Sequence, residues 1–471
     1  MHLQRIQVPD FRVLKDVDIT FEKEFVPTIF PIGSLNGGGK STLLQLIFVL
    51  LHCSNDRDKI GFLKNMLDGF KIYKDSEKRV LSIVEIWDGS KIVKLEFFSY
   101  KDSYIKNSLL NQNEDIESES SDEADEEIED KADYTAEDED YLKFSVREKS
   151  TEVFVKLINK SLEVSEIEKS FEKLKQEAIK QGLFQAQSEL RELNEEYDRI
   201  EFYSKQVSEY LQSEGLIYIC NYSVNEAQDE DEVLLCKVDN LEIKKSAAFL
   251  EDLSQKVFLA APATQVFLFL SKESRKLLFR DISNDKNNGN NSYYSELQTA
   301  KTELPGFFAY DFLAVDLLIE SFKAARDRDF QEAIETGEYG NNYKELMNDL
   351  NGMLSNKEIK LDVDLSGVNF KLIRNGGSIE LNPEDLSHGE LTRLGIYMWI
   401  KYHNIENAIV LMDEIEIAFH PDWQYQIISD LQQWAPNNQY ILATHSYELC
   451  QALTPSHVKE LEPKLIKKQE A

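Results

Sequence analysis

Gly33-Ser-Leu-Asn-Gly-Gly-Gly-Lys40-Ser41-Thr42 sets the architecture expected of this 471-residue chain. The apolar stretch Val26–Ile32 precedes it with the character of a strand, and Thr42–His52 follows it as an apolar run of helical length. Strand, glycine loop and helix, in that order, are what binding a phosphate requires. Glycines let the backbone approach an anion closely, and the helix turns the positive end of its dipole toward the charge.

Around this center, Leu3–Val8 and Val17–Phe21 read as strands joined by a turn near Pro9-Asp10. Val80–Ile86 and Ile92–Phe98 flank Asp88-Gly89, a hairpin signal that predicts an antiparallel lobe. The lobe is expected to be interrupted by an acidic loop and to resume near Tyr141–Val146. Glu114 to Asp140 holds sixteen acids against the single Lys131, which is −15 of the chain's net −33. Such a block cannot bury enough apolar surface to offset its ordering entropy, and is expected to be a solvated loop. From 162 the pattern turns helical: Ser165 and Glu168 make a capping box, and Ile167, Phe171, Leu174 and Ala178 keep a 4, 3, 4 spacing. Strand signals return at Gly215–Tyr222, Glu232–Val238 and Lys256–Leu270, then helices at Phe307–Leu354 and strands at Ile359–Leu365, Phe370–Ile373 and Ser378–Leu381.

Four dispersed cysteines without a CxxC pair argue against a zinc finger and a disulfide framework, and fit a reducing cytoplasm. No apolar run approaches the ~20 residues that span a bilayer, so no membrane contact is expected. The acidic balance disfavors extensive unaided DNA binding.

Three further segments carry chemistry. Ala408-Ile-Val-Leu-Met-Asp413-Glu414 is a continuous apolar run ending in two acids, the way a strand buried on both faces delivers carboxylates to the edge of a parallel sheet. Asp385-Leu-Ser387-His-Gly389-Glu390 opens the apolar helix Leu391–Tyr402; Ser387 and Glu390 fit a capping box, and the same geometry offers N–H groups and a serine to a phosphate. Tyr440-Ile-Leu-Ala-Thr-His445-Ser446 is another apolar strand, ending in a histidine. Each has a plain structural alternative: acids beside a turn, a capped helix, a packed histidine.

The glycine loop resembles a Walker A P-loop with one departure, since Ser34 stands where the strict pattern has its first glycine and Gly33 lies one place early. Together and in order, the four motifs resemble the ATP-binding-cassette ATPases of the SMC, RecF, Rad50 and OLD group. Ile6-x4-Phe11-Arg12 followed by Val17-x-Ile19-x-Phe21 looks like that group's opening strands, and Asp413–Pro421 is similar to its Walker B and D-loop, although His388 and Ile415 depart from the usual residues. The resemblance implies an α/β fold: an ABC-type P-loop ATPase head split between N- and C-terminal parts, with an antiparallel β lobe and an inserted helical or short coiled-coil region. The expected parts are 1–110 (first half of the head), 111–140 (acidic loop), 141–355 (inserted region with a helical stub at 162–214) and 356–471 (second half of the head). ATP and Mg²⁺ are the implied cofactors. Asn36, Gly37, Gly38, Gly39, Lys40, Ser41, Thr42 and Arg12 would contact nucleotide, with Ser387 and Gly389 of the signature motif and Gln265 as the Q-loop glutamine. Ser41 and Asp413 would hold Mg²⁺, Glu414 would activate water, and His445 would be the switch histidine.

In this group the signature serine of one subunit completes the ATP site of the other, which implies a head-to-tail homodimer. Only 26 residues follow His445, so the expected effector is a separately encoded chain, a nuclease of HNH or Toprim type that brings any contact with DNA. This arrangement looks like the ATPases of Septu-type, retron-associated and PARIS-type anti-phage systems. A RecF-like DNA-repair ATPase is the alternative. A transporter ATPase is disfavored by the separation of 347 positions from Lys40 to Ser387.

Overall fold

Fifteen described strands fall into three sheets, in a computed structural model that describes residues 1–101, 210–223 except 212, 231–277, 293–310, 315–354, 356–374 and 377–461. In chain order the strands are β1 (His2–Phe11), β2 (Leu14–Thr20), β3 (Ile29–Gly33), β4 (Lys78–Trp87), β5 (Ile92–Lys101), β6 (Leu216–Ser223), β7 (Asp231–Asp239), β8 (Val257–Ala261), β9 (Phe307–Ala309), β10 (Lys357–Leu361), β11 (Val368–Arg374), β12 (Gly377–Leu381), β13 (Ile409–Asp413), β14 (Gln439–Ala443) and β15 (Lys459–Glu460). The acidic block, the strand expected near Tyr141–Val146 and the helical pattern over 162–209 lie outside the described residues.

The central sheet runs β15-β3-β14-β13-β8-β9 with every neighboring pair parallel. β13 and β14 are buried along their whole length, which is why they read as unbroken apolar runs and not as alternating ones. Alternate residues serve opposite cores. Ile409, Leu411, Ile441 and Ala443 pack with the helix Lys40–Cys53, whereas Val410, Met412, Tyr440 and Leu442 pack with the helices His388–Tyr402 and Pro421–Trp434. The helix Lys40–Cys53 is buried from Leu43 to Cys53, as an all-round apolar helix must be.

Register then levels the strand ends. Ala443 pairs with both Asp413 and Ile32, and Met412 pairs with Ala260. The segments that follow, beginning at Ser34, Glu414, Thr444 and Pro262, therefore leave from one carboxyl edge, where open parallel sheets bind ligands.

The antiparallel sheet runs β2-β1-β4-β5-β7-β6. Its β4–β5 turn is held as expected, with the Asp88 carboxylate accepting the N–H groups of Ser90 and Lys91 at 2.7 and 2.8 Å. Buried Gln439 ties the two sheets: its amide accepts from Leu3 N at 2.7 Å and donates to Leu3 O at 2.8 Å. The small sheet β10-β11-β12 leads through Pro383–Asp385 to the helix His388–Tyr402.

Several expected elements differ. Lys256–Leu270, expected as one strand, is a strand only over Val257–Ala261; Pro262 lacks an N–H for the ladder and the chain enters the turn Ala263–Gln265. Phe307–Ala309, expected as helix, is β9. Of the stretch 141–355, expected as an inserted region, the described β6 and β7 extend the antiparallel sheet and β8 and β9 the central one. Among the described residues no helix is long and apolar enough to cross a membrane.

Candidate active site

The glycine loop seats against the β1–β2 turn. At Gly39, φ is +90°, and a Cβ would lie 2.7 Å from Leu14 Cδ2, so both conformation and space demand glycine. Ser34 has a place of its own: its hydroxyl donates to Leu35 O at 2.9 Å and accepts from Lys40 Nζ at 3.2 Å. Lys40 is buried, and its Nζ also lies 2.8 Å from His445 Nε2, a residue 405 positions away. Burial lowers the Lys40 pKa, opposed by the nearby charges of Asp413, Glu414 and Glu416. Asn36 and Gly37 are exposed at the crest of the loop, and Ser41 and Thr42 are half-buried in the first helical turn.

One residue on, Ser41 Oγ donates to Asp413 Oδ1 at 3.0 Å and lies 3.4 Å from Gln265 Oε1. The other end of that amide, Gln265 Nε2, donates to Glu414 Oε2 at 2.6 Å. Glu414 adopts φ +49°, in the left-handed region that residues other than glycine avoid, with its N–H bonded to Ala443 O at 2.8 Å. Burial pushes the Asp413 carboxyl up to about 7, helped by Glu414 and Glu416 and resisted by Ser41 and Lys40. Thus P-loop, β13, β14 and the turn after β8 meet at the leveled edge.

The donor set suits a hard cation. Asp413 Oδ2 is buried without a hydrogen-bond partner, and it stands beside a hydroxyl and an amide oxygen. Mg²⁺ favors such oxygen ligands and takes few from protein, drawing the rest from water and phosphate.

The signature segment stands outside this cluster. Ser387 is exposed and caps the helix His388–Tyr402: Glu390 N donates to its Oγ at 3.3 Å, and Ser387 N donates to Glu390 Oε2 at 2.8 Å. Lys357 fixes Glu390 from β10 at 2.6 Å. Gly389 abuts the turn after β13, where a Cβ would lie 2.6 Å from Ala418 O. Helix propensity alone makes Gly389→Ala stabilizing by up to about 1 kcal/mol. The backbone clash reverses the sign, and a loss of about 1–3 kcal/mol is expected from denaturant midpoints.

Arg12 precedes the two residues, Val13 and Leu14, that Gly39 faces. Its guanidinium donates to Met66 O at 3.1 Å and Asp68 O at 3.4 Å, covering the carbonyl end of the helix Ile60–Leu67. Three residues at the cluster carried no assignment in the sequence. Glu416 Oε1 accepts the His445 N–H at 2.7 Å, Tyr310 Oη lies 2.7 Å from Asp413 O, and Gln45 reaches the Gln265 turn. Gln45 had a legible signal, being the one polar residue inside the apolar run Leu43–Leu51.

A family model described as AAA ATPase domain matches residues 1–450. The chain belongs to the AAA ATPase domain family. The chain is 33% identical over 103 residues to "Retron Vc95 probable ATPase" of Vibrio cholerae serotype O1 biovar El Tor, covering 20% of each chain. It is 33% identical over 98 residues to "Retron Ec83 probable ATPase" of Escherichia coli, covering 18% of each. The chain thus spans about a fifth of the length of these curated relatives. Among solved structures, the Smc head domain of Pyrococcus furiosus bound to the C-terminal domain of ScpA aligns with a TM-score of 0.32 at 10% identity, over 96% of this chain and 91% of that one.

Proposed function

We propose that this AAA ATPase binds and hydrolyzes ATP with Mg²⁺, closes head to tail with a second copy around ATP, and so controls a separately encoded effector, a nuclease, in anti-phage defense. One observation carries the reading: Ser41 and Asp413, 372 residues apart, hydrogen-bond at 3.0 Å on the same sheet edge as Lys40, Gln265, Glu414 and His445. The retron names of the two relatives support the defense setting. The net charge of −33 supports leaving DNA contact to the effector.

In this reading the loop N–H groups and Lys40 would bind the outer phosphates, and Ser41, Asp413 and Gln265 are the residues that would hold the cation. Bound Mg²⁺ supplies charge neutralization at the phosphoryl oxygens. Glu414 orients the attacking water and takes its proton on a carboxylate oxygen. His445, steadied by Glu416, turns from Lys40 to the terminal phosphate. The exposed Ser387 cap serves a second copy, because its hydrogen bonds within its own chain stay inside the cap.

Mixing Ser387→Arg with Lys40→Ala protein tests the closure. A mixed head-to-tail dimer has one site with both lesions and one with neither, so ATP-dependent activity absent from each mutant is expected to return in part. A fully active Ser387→Arg protein would reduce Ser387 to a helix cap.

A further inference from the structure

Gln45 is 3% exposed in a helix whose neighboring residues Leu44 and Leu46 are fully buried. A leucine would fill the same space, yet an amide sits there with both ends engaged. Its Nε2 donates to Gln265 O at 2.7 Å, and its Oε1 accepts the Leu268 N–H at 3.0 Å. The segment it grips needs holding. After Pro262 the chain leaves the β8 ladder for a single turn, Ala263–Gln265, and pairs with no strand before the helix Lys272–Leu277.

Position matters as much as bonding. Gln45 lies four residues after Ser41, so helical geometry puts both on one face. That face meets Gln265 twice, Gln45 at its backbone carbonyl and Ser41 Oγ at 3.4 Å from its side-chain oxygen. The Gln265 amide is thereby set with its oxygen toward the Ser41–Asp413 pair and its nitrogen on Glu414 at 2.6 Å.

We propose that Gln45 is a positioning residue, clamping the turn after β8 to the P-loop helix so that Gln265 presents its amide oxygen to a divalent cation beside Ser41 and Asp413. This rests on the Mg²⁺-dependent ATPase reading above. Groups that orient metal-binding side chains typically carry 10- to 100-fold in metal affinity or activity.

The test measures ATP binding to the full-length protein by calorimetry, once with Mg²⁺ and once with EDTA, for the unaltered chain, Gln45→Leu, Gln265→Ala and the double variant. Affinity in EDTA is expected to hold within about twofold, while the gain from Mg²⁺ falls about tenfold in each single variant. The double variant is expected to lose no more than Gln265→Ala alone, because one residue acts through the other. Additive losses, or equal losses with and without Mg²⁺, would overturn the role and leave Gln45 as packing. Should Gln45→Leu not fold, Gln45→Asn, one methylene too short to span both partners, is expected to give the same tenfold loss. Independently, the Leu268 amide of the unaltered protein is expected to exchange slowly with solvent, and fast exchange would refute the clamp. If the unaltered chain binds ATP in neither condition, the ATPase reading fails and this inference with it. Mg²⁺-enhanced binding without coupling between the two glutamines defeats Gln45 alone.

Discussion

Lys40→Ala is expected to abolish measurable ATP binding, with at least about a hundredfold loss of affinity. The site has three carboxylates, Asp413, Glu414 and Glu416, all close enough to act on Lys40. Lys40 faces them as a cation, buried and held between Ser34 and His445. Without it a triphosphate would meet an uncompensated acidic edge. Hydrogen bonds to a charged group are each worth about 1.5–3 kcal/mol, so losing two suffices for the hundredfold figure. Calorimetry decides, and affinity retained within a few fold would remove Lys40 from phosphate binding.

Glu414→Gln is expected to keep Mg²⁺-ATP binding and to slow hydrolysis by about 10²- to 10⁴-fold, the usual contribution of a positioned general base. The change is isosteric, and it spares Ser41, Asp413 and their mutual hydrogen bond. The replacing amide can still accept from Gln265 Nε2 through its oxygen, so the local geometry should persist. What it cannot do is take a proton from water. ATP-bound dimers should then accumulate, visible as a doubling of mass by light scattering when ATP is added. Hydrolysis at the parental rate would assign the base to another group.

The central loop, the two acid- and histidine-ended strands and the capped helix were legible because each is written in contiguous residues. A strand buried on both faces is a run of apolar residues, and β13 and β14 occur where such runs stand. The capping box at Ser387 needs only Ser387 and Glu390, three residues apart, and it forms. The Asp88 hairpin forms for the same reason.

Sheet membership was less legible. The strand signals at Glu232–Val238 and Lys256–Leu270 look alike in composition, yet one yields an antiparallel strand at the lobe and the other a parallel strand in the central sheet. An apolar strand carries no label for its neighbor; the neighbor is chosen by which surfaces remain to be covered.

By itself the sequence determined the local devices of this protein: the glycine loop at 33–42, the acids ending β13, the histidine following β14 and the cap at Ser387. Tertiary structure settled which of them meet. Parallel register leveled Ile32, Asp413 and Ala443, and the clamp of Gln45 brought Gln265 from the turn after β8 to Ser41 and Glu414. It also directed the Arg12 guanidinium to the carbonyl end of the helix Ile60–Leu67. These contacts join residues tens to hundreds of positions apart, and their energy comes from burying two sheet faces at once, a property of the assembled core that no single stretch of chain contains.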